Sequence, residues 1–272
     1  MSTTALLLAL AAAFVHALWN ILLARAPDVE SATAVALVTA ELVFLPVALL
    51  TWDVEASVWP YIVAGGLLQI TYFALLATAY RLVPLSVVYP IARGGAPVLV
   101  LLIGVVVLGR TTSRTQVMAV LLVVAGIVLV RGVRHPDRLG VVFGLVIAMC
   151  IASYTLVDKE GIKHAEPISY LELSMLGPTA VYAGAVMRVK GVDAVRRAVN
   201  ASSLVAGVCT FGAYALVLAA LQRASAASVA AVRETSVVIA ALLAGAVLHE
   251  RVGPARLAGA VLVAAGVALL AV

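Results

Sequence analysis

The apolar residues of this chain fall into ten runs of membrane length, and the polar breaks between them are too short to fold by themselves. The runs cover approximately 4–23, 32–50, 58–80, 84–108, 115–131, 139–157, 166–187, 203–222, 226–248 and 255–271. A helix crossing the hydrocarbon core needs about 20 apolar residues. The breaks carry helix-ending residues: Ala26-Pro27-Asp28, Thr51-Trp52-Asp53, Arg110 to Arg114, Arg134-His135-Pro136-Asp137 and Gly253-Pro254. Trp52, Trp59 and Tyr61 flank the second break, where aromatic rings with a polar edge settle at the headgroup level. The pattern predicts an all-α integral membrane protein of ten transmembrane helices, with no soluble domain between them.

Composition agrees. Only 11% of the residues are charged and 64% are hydrophobic, whereas charged residues make up about a quarter of a soluble domain. Lipid is therefore the solvent for most of the surface. The net charge of +5 sits between the apolar runs, which suits anionic headgroups and not nucleic acid. Cys150 and Cys209 both lie inside apolar runs and read as small buried hydrophobes. Ala24-Arg25-Ala26 resembles a signal-peptide cleavage site, but Met1-Ser2-Thr3-Thr4 carries no basic segment. The first apolar run also exceeds the roughly 7–15 residues of a signal-peptide core. It reads as a retained helix.

The chain repeats itself. A shift of 140 positions aligns Arg93 with Arg233, Val98 with Val238, Leu102 with Leu242, Val107 with Val247 and Leu108 with Leu248. Further on, Leu122, Val123, Ala125, Gly126 and Leu129 match Leu262, Val263, Ala265, Gly266 and Leu269. Apolar coincidences are cheap in such a composition, so the paired arginines carry most of the weight. Tyr72 and Arg81 correspond to Tyr214 and Arg223 after a slip of two residues. Two halves are expected, 1–133 and 134–272. With five helices in each, the second must enter the membrane from the other side. Such inverted repeats place substrate sites near the midplane, between the halves.

Charges within the runs are the most informative residues, because each costs about 2.5–3.5 kcal/mol at the centre of a membrane helix on insertion scales. Arg93, Arg233, Glu41 and Glu234 lie deep, and Glu172 is shallower. Each arginine follows a helix-starting turn by about eight residues, roughly 12 Å at 1.5 Å per residue. The two should approach the midplane from opposite faces. A guanidinium stays charged and matches the oxygens of a carboxylate or phosphonate with a planar fork. The pair thus predicts contact with an anionic or zwitterionic substrate. The other reading is that both arginines pair with Glu41 and Glu234 and only fix the packing.

Pro90, Gly94, Gly95 and Pro97 surround Arg93 and predict a broken or kinked helix there, with Tyr89 on the arginine's face. Glu41 and Glu234 are candidate proton carriers, since burial and a nearby arginine pull a carboxyl in opposite directions. His16, Trp19 and Asn20 close the first run, and Gln69, Tyr72, Tyr154 and Tyr214 lie in runs three, six and eight. All are candidates for lining the pathway, with interhelical hydrogen bonding the alternative. Glu250 reads as a helix-end or loop-locking residue.

Four segments resemble the EamA family of the drug/metabolite transporter superfamily. His16-Ala17-Leu18-Trp19-Asn20 is similar to the end of that family's first helix, and Ser153-Tyr154-Thr155-Leu156 holds the equivalent place in run six. Leu248-His249-Glu250-Arg251 resembles the Leu-Gly-Glu-Arg ending of its ninth helix, and Ala264-Ala265-Gly266-Val267 its tenth. The first half departs at Leu108-Gly109-Arg110-Thr111, with arginine where the family usually has glutamate. The resemblance spans nearly the whole chain and implies ten helices, two repeats, a central cavity and alternating access in a bacterial cell (inner) membrane. It also implies cytoplasmic termini. The basic loop residues oppose that: Arg110, Arg114, Lys159, Lys163 and Arg223 share one face with the termini, while Arg25, Arg81, Arg131, Arg134, Arg138, Arg188, Lys190, Arg196, Arg197, Arg251 and Arg256 lie on the other. The positive-inside rule then puts the termini outside, so orientation is left open.

The expected function is secondary transport of a small anionic or zwitterionic metabolite, with proton coupling as an option. No G-x-x-x-x-G-K-[ST] segment occurs, so ATP hydrolysis is not expected of this chain. No motif calls for a cofactor. The competing classes are an integral membrane enzyme acting on a lipid-like substrate, and a lipid scramblase. His16, His135, His164 and His249 are scattered and no paired Asp occurs, which speaks against a metal or acid/base centre.

Overall fold

A computed structural model describes residues 1–83, 85–131, 138–239 and 254–271. The first repeat contains α1 (Thr3–Ala24), α2 (Val29–Leu50), α3 (Trp59–Leu82), α4 (Leu85–Leu102) and α5 (Arg114–Arg131). The second contains α6 (Arg138–Gly161), α7 (Pro167–Lys190), a short α8 (Val192–Arg197), α9 (Ala201–Leu221), α10 (Ala226–Arg233) and α11 (Pro254–Ala271). Helical backbone resumes after α10 over 235–239. This is the all-α, two-repeat architecture that the apolar runs predict. Glu250 lies outside the described residues.

Local chemistry sets the helix ends. The Asp28 carboxylate accepts from the Ser31 N–H at the start of α2, and Glu166 accepts from the N–H groups of Ile168 and Ser169 at the start of α7. Asn200 and Ser203 form a reciprocal capping box at α9, and the Ser225 hydroxyl caps α10. These caps satisfy N–H groups that the first helical turn leaves without partners. Gly191, at φ +84°, ends α7 in a conformation that a side chain would strain.

Packing follows a pseudo-twofold. α5 lies on α11 and α2 on α7, each helix against its own counterpart. α1 lies on α9 as α6 lies on α3. At the α5–α11 crossing the relation reaches individual atoms. A Cβ on Gly126 would stand 2.7 Å from Val263 Cγ2, and one on Gly266 would stand 2.7 Å from Val123 Cγ2. Both pairs obey the 140-residue shift. Absence of a side chain lets the two backbones close together, the usual basis of helix association in lipid.

Three features differ from the sequence expectation. α4 is continuous across Pro90, Gly94, Gly95 and Pro97, and its irregularity comes later, as a π-helical segment at Ile103–Val107. The break instead falls in the second repeat, where α10 stops at Arg233 and Glu234 sits in a turn. α6 continues to Gly161, past Asp158-Lys159-Glu160, where the apolar run ends.

Candidate transport site

The two repeat-related arginines meet. Arg93 donates to Glu234 Oε1 at 3.2 Å, and Arg233 donates to the same oxygen at 3.4 Å. All three residues are buried, Glu234 completely. Glu234 is the single turn residue between α10 and the helical backbone that resumes at 235. Neighbouring helical residues point about 100° apart, from 3.6 residues per turn, yet the Arg233 and Glu234 side chains meet at 3.4 Å.

α1 closes the site. Arg93 donates to Nε2 of His16 at 3.2 Å. A guanidinium has no acceptor, so Nε2 offers its lone pair and the ring proton sits on Nδ1. The Trp19 ring stands edge-on to His16, with centroids 4.8 Å apart. The Asn20 amide is turned back on its own helix, donating to the His16 carbonyl at 2.8 Å.

Three buried polar atoms here lack a hydrogen-bond partner among the described residues: Arg233 Nε, Trp19 Nε1 and Glu234 Oε2. Two are donors. One carboxylate faces two guanidinium groups, so Arg93, Arg233 and Glu234 together carry a net positive charge, with Asp158 the next acid within electrostatic reach of Arg233.

On the side nearer the chain termini, tyrosines adjoin the cluster. Tyr72, Tyr154 and Tyr214 form a run of rings, with centroids 6.3 Å apart for the first pair and 6.5 Å for the second. Arg233 lies within electrostatic reach of Tyr154 and Tyr214. Tyr214 donates to one oxygen of Asp158, and Tyr170 donates to the other at 2.9 Å. Asp158 and Tyr170 were not among the candidates, because the charged run after Val157 masks the helix. The available signal was spacing, since Asp158 lies four residues after Tyr154 and shares its face. Gly161 leaves room for the Tyr170 ring, which a Cβ there would overlap.

The remaining candidates lie elsewhere. Gln69 is buried on α3, and the side chain of Tyr89 is outside the described residues. Glu41 does not pair with either arginine. It faces Glu172 of α7, since α2 packs against α7 and α9 and not against α4 or α10.

Contacts between the repeats close the terminal face. The 51–58 loop meets the α6–α7 loop through a Val54–Ala165 bridge, and the Glu55 N–H donates to the His164 carbonyl at 2.9 Å. The His164 ring stacks on Tyr61 and bonds Glu55, whose carboxyl it holds below the usual range. Arg110 of the first repeat pairs with Glu160 of the second, and within the second repeat Lys159 donates to the carbonyls of Leu221 and Ala224. On the opposite face, Lys190 binds Asp28 and Glu30.

A family model describing the EamA-like transporter family matches the chain twice, over residues 3–132 and 138–272. The chain belongs to the EamA-like transporter family. Its two matches fall on the two repeats whose arginines meet at Glu234. One solved structure, described only as "Crystal structure of protein", superposes on this EamA-like chain with a TM-score of 0.76 at 17% identity. The match covers 99% of this chain and 96% of the other, and at that identity it speaks for the fold alone. No curated protein matches the sequence. Family and apolar helices together make this an integral, multi-pass membrane protein of the transporter type.

Proposed function

We propose that this EamA-like protein is a secondary transporter of a small metabolite bearing an anionic group, and that Arg93 and Arg233 hold that group. The observation behind this is the cluster in which two buried guanidinium groups share one carboxylate oxygen while Arg233 Nε and Trp19 Nε1 lack acceptors. A carboxylate or phosphonate supplies the missing negative charge and the missing acceptors together. Asp158, held by two tyrosines, offers a counter-charge for an ammonium group, so a zwitterion also fits. Buried charges in a membrane helix are otherwise costly, and a substrate site is their usual reason.

Alternating access would rock one repeat against the other around this centre. The terminal-face contacts of Arg110 with Glu160, and of the 51–58 loop with the α6–α7 loop, have to part in one half of that cycle. A proton-coupled cycle is compatible with this reading, with Glu234 able to trade its guanidinium partners for a proton.

A thermal-shift screen of small carboxylates, phosphonates, zwitterions and amines on purified protein tests the proposal. A ligand at a hundred times its Kd stabilises by about 2.7 kcal/mol, so anionic compounds should raise the melting temperature and amines alone should not. Hits should then be taken up by proteoliposomes containing only this protein, which also separates transport from scrambling or enzyme activity. Stabilisation by simple amines only would sink the anion site.

A further inference from the structure

The α2–α7 seam holds a second group of buried acids, on helices that carry neither arginine. Glu41 and Glu172 are only 7% and 6% exposed, and Thr179 only 4%. The two carboxyl groups adjoin each other, with the Thr179 hydroxyl beside Glu41. Both Glu41 oxygens, Glu172 Oε2 and the Thr179 hydroxyl oxygen are buried, and no well-aligned protein hydrogen bond reaches them.

Among the described residues, the ionisable groups on the packed elements are engaged elsewhere or lie away from the seam. On α7, Tyr170 donates to Asp158, Tyr182 packs on Phe73, Arg188 is exposed, and Lys190 binds Asp28 and Glu30 near the far end. On α9, Tyr214 donates to Asp158 and Cys209 is half-buried. On α1, His16 accepts from Arg93. On α3, the Tyr72 ring faces Tyr154 and Arg81 is exposed at the helix end. On α8, Asp193 pairs with Arg196, and Arg197 is exposed. No cation among them neutralises either acid.

An ionised carboxylate only accepts hydrogen bonds, so two of them facing each other repel and satisfy nothing. A proton between them resolves both problems, as in paired acids that cannot both ionise at close range. We propose that Glu41 and Glu172 form one proton-binding site, holding a single proton in an O–H···O bond across the α2–α7 seam. α2 and α7 are the same helix in the two repeats, so a rocking motion that parts them breaks this bond. The proton then goes to one acid or leaves to water. The site thus ties proton occupancy to repeat movement and is independent of what binds at the arginines.

Infrared titration of the protein in lipid nanodiscs reads the site without any substrate. Wild type should keep a protonated-carboxyl band at neutral pH that moves on exchange into D2O and on growth with isotope-labelled glutamate. The Glu41→Gln/Glu172→Gln double variant should lose it, while Asp158→Asn should retain it. An absent band, or one that ignores glutamate labelling in wild type, overturns the proposal even where the double variant fails to fold. So does a band that survives in a folded double variant, or one abolished by sodium ions, which would make the ligand a metal cation.

Discussion

α4 and α10 are one helix used twice, and they differ where the residue after the arginine is concerned. In the first repeat that residue is Gly94, which faces α5: a Cβ there would lie 3.7 Å from Val124 Cγ1. In the second it is Glu234, set in a turn and bonded to both arginines. Glycine in both places would leave the two guanidinium groups without this carboxylate. One glutamate leaves a single positive charge. The shared frame brings the arginines together, and the difference between the copies gives the meeting point one carboxylate for two guanidinium groups.

The largest expected effect comes from erasing that difference. Glu234→Gln leaves two buried guanidinium groups with no carboxylate, a loss of about 3–5 kcal/mol for a broken buried pair. Denaturation in mild detergent should show it, and added acetate should restore more stability to the variant than to wild type. A Gln variant as stable as wild type would mean that the carboxylate is not what the arginines rely on.

Next come the arginines. Arg93→Ala and Arg233→Ala each leave Glu234 with one guanidinium partner, so folded protein should still be obtained. Truncating one member of a buried charge pair costs about 2–5 kcal/mol in binding. At about 1.4 kcal/mol per decade, uptake of the true substrate should fall at least about thirtyfold. Wild-type uptake rates in both variants would end the case for an anion site.

Much of the frame could be read from the chain because it depends on periodic, one-dimensional signals. The apolar runs locate the long helices among the described residues, and the 140-residue shift pairs Gly126 with Gly266 before any contact is known. The meeting of Arg93 with Arg233 follows from depth and symmetry alone. What escaped depends on how each helix is turned about its axis. Glu41 reads as a partner for the arginines until α2 is seen to pack on α7, which turns it to Glu172. Asn20 lies beside His16 but spends its amide on the His16 carbonyl. Proline and glycine pointed to a break at Arg93, yet α4 stays helical. The break at Glu234 contains neither residue, so no local signal in the sequence marks it. Asp158 was hidden because a charged run looks like a helix end, although Tyr170 and Tyr214 satisfy it within the bundle.

The outer pair α5–α11 provides the control, since there the two copies stay alike. Gly126→Ala and Gly266→Ala should each cost about 1–3 kcal/mol, the usual penalty for an overpacked contact. The important expectation is equality. Costs that differ by more than about 1 kcal/mol would show that the twofold relation of backbones is local to Val123 and Val263, and the contrast with the centre would lose its baseline.

The smallest effect lies at the face away from the termini, where Asp28 ties the first repeat to Lys190 of the second. The Lys190 ammonium and then the Ser31 hydroxyl hold the Asp28 carboxyl down from its ordinary value to about 2. A free aspartate titrates near 3.9, so the folded state binds its proton later than the unfolded one as pH falls. The contribution is therefore complete above about pH 4 and is lost as pH drops toward 2. Both side chains are partly exposed, so screening keeps it under about 1 kcal/mol. The difference in melting temperature between wild type and Asp28→Asn should be small and constant above about pH 5, then vanish towards pH 2. It should also shrink with added salt, unlike the buried arginine pair, and a difference that grows on acidification would place the Asp28 proton the wrong way round.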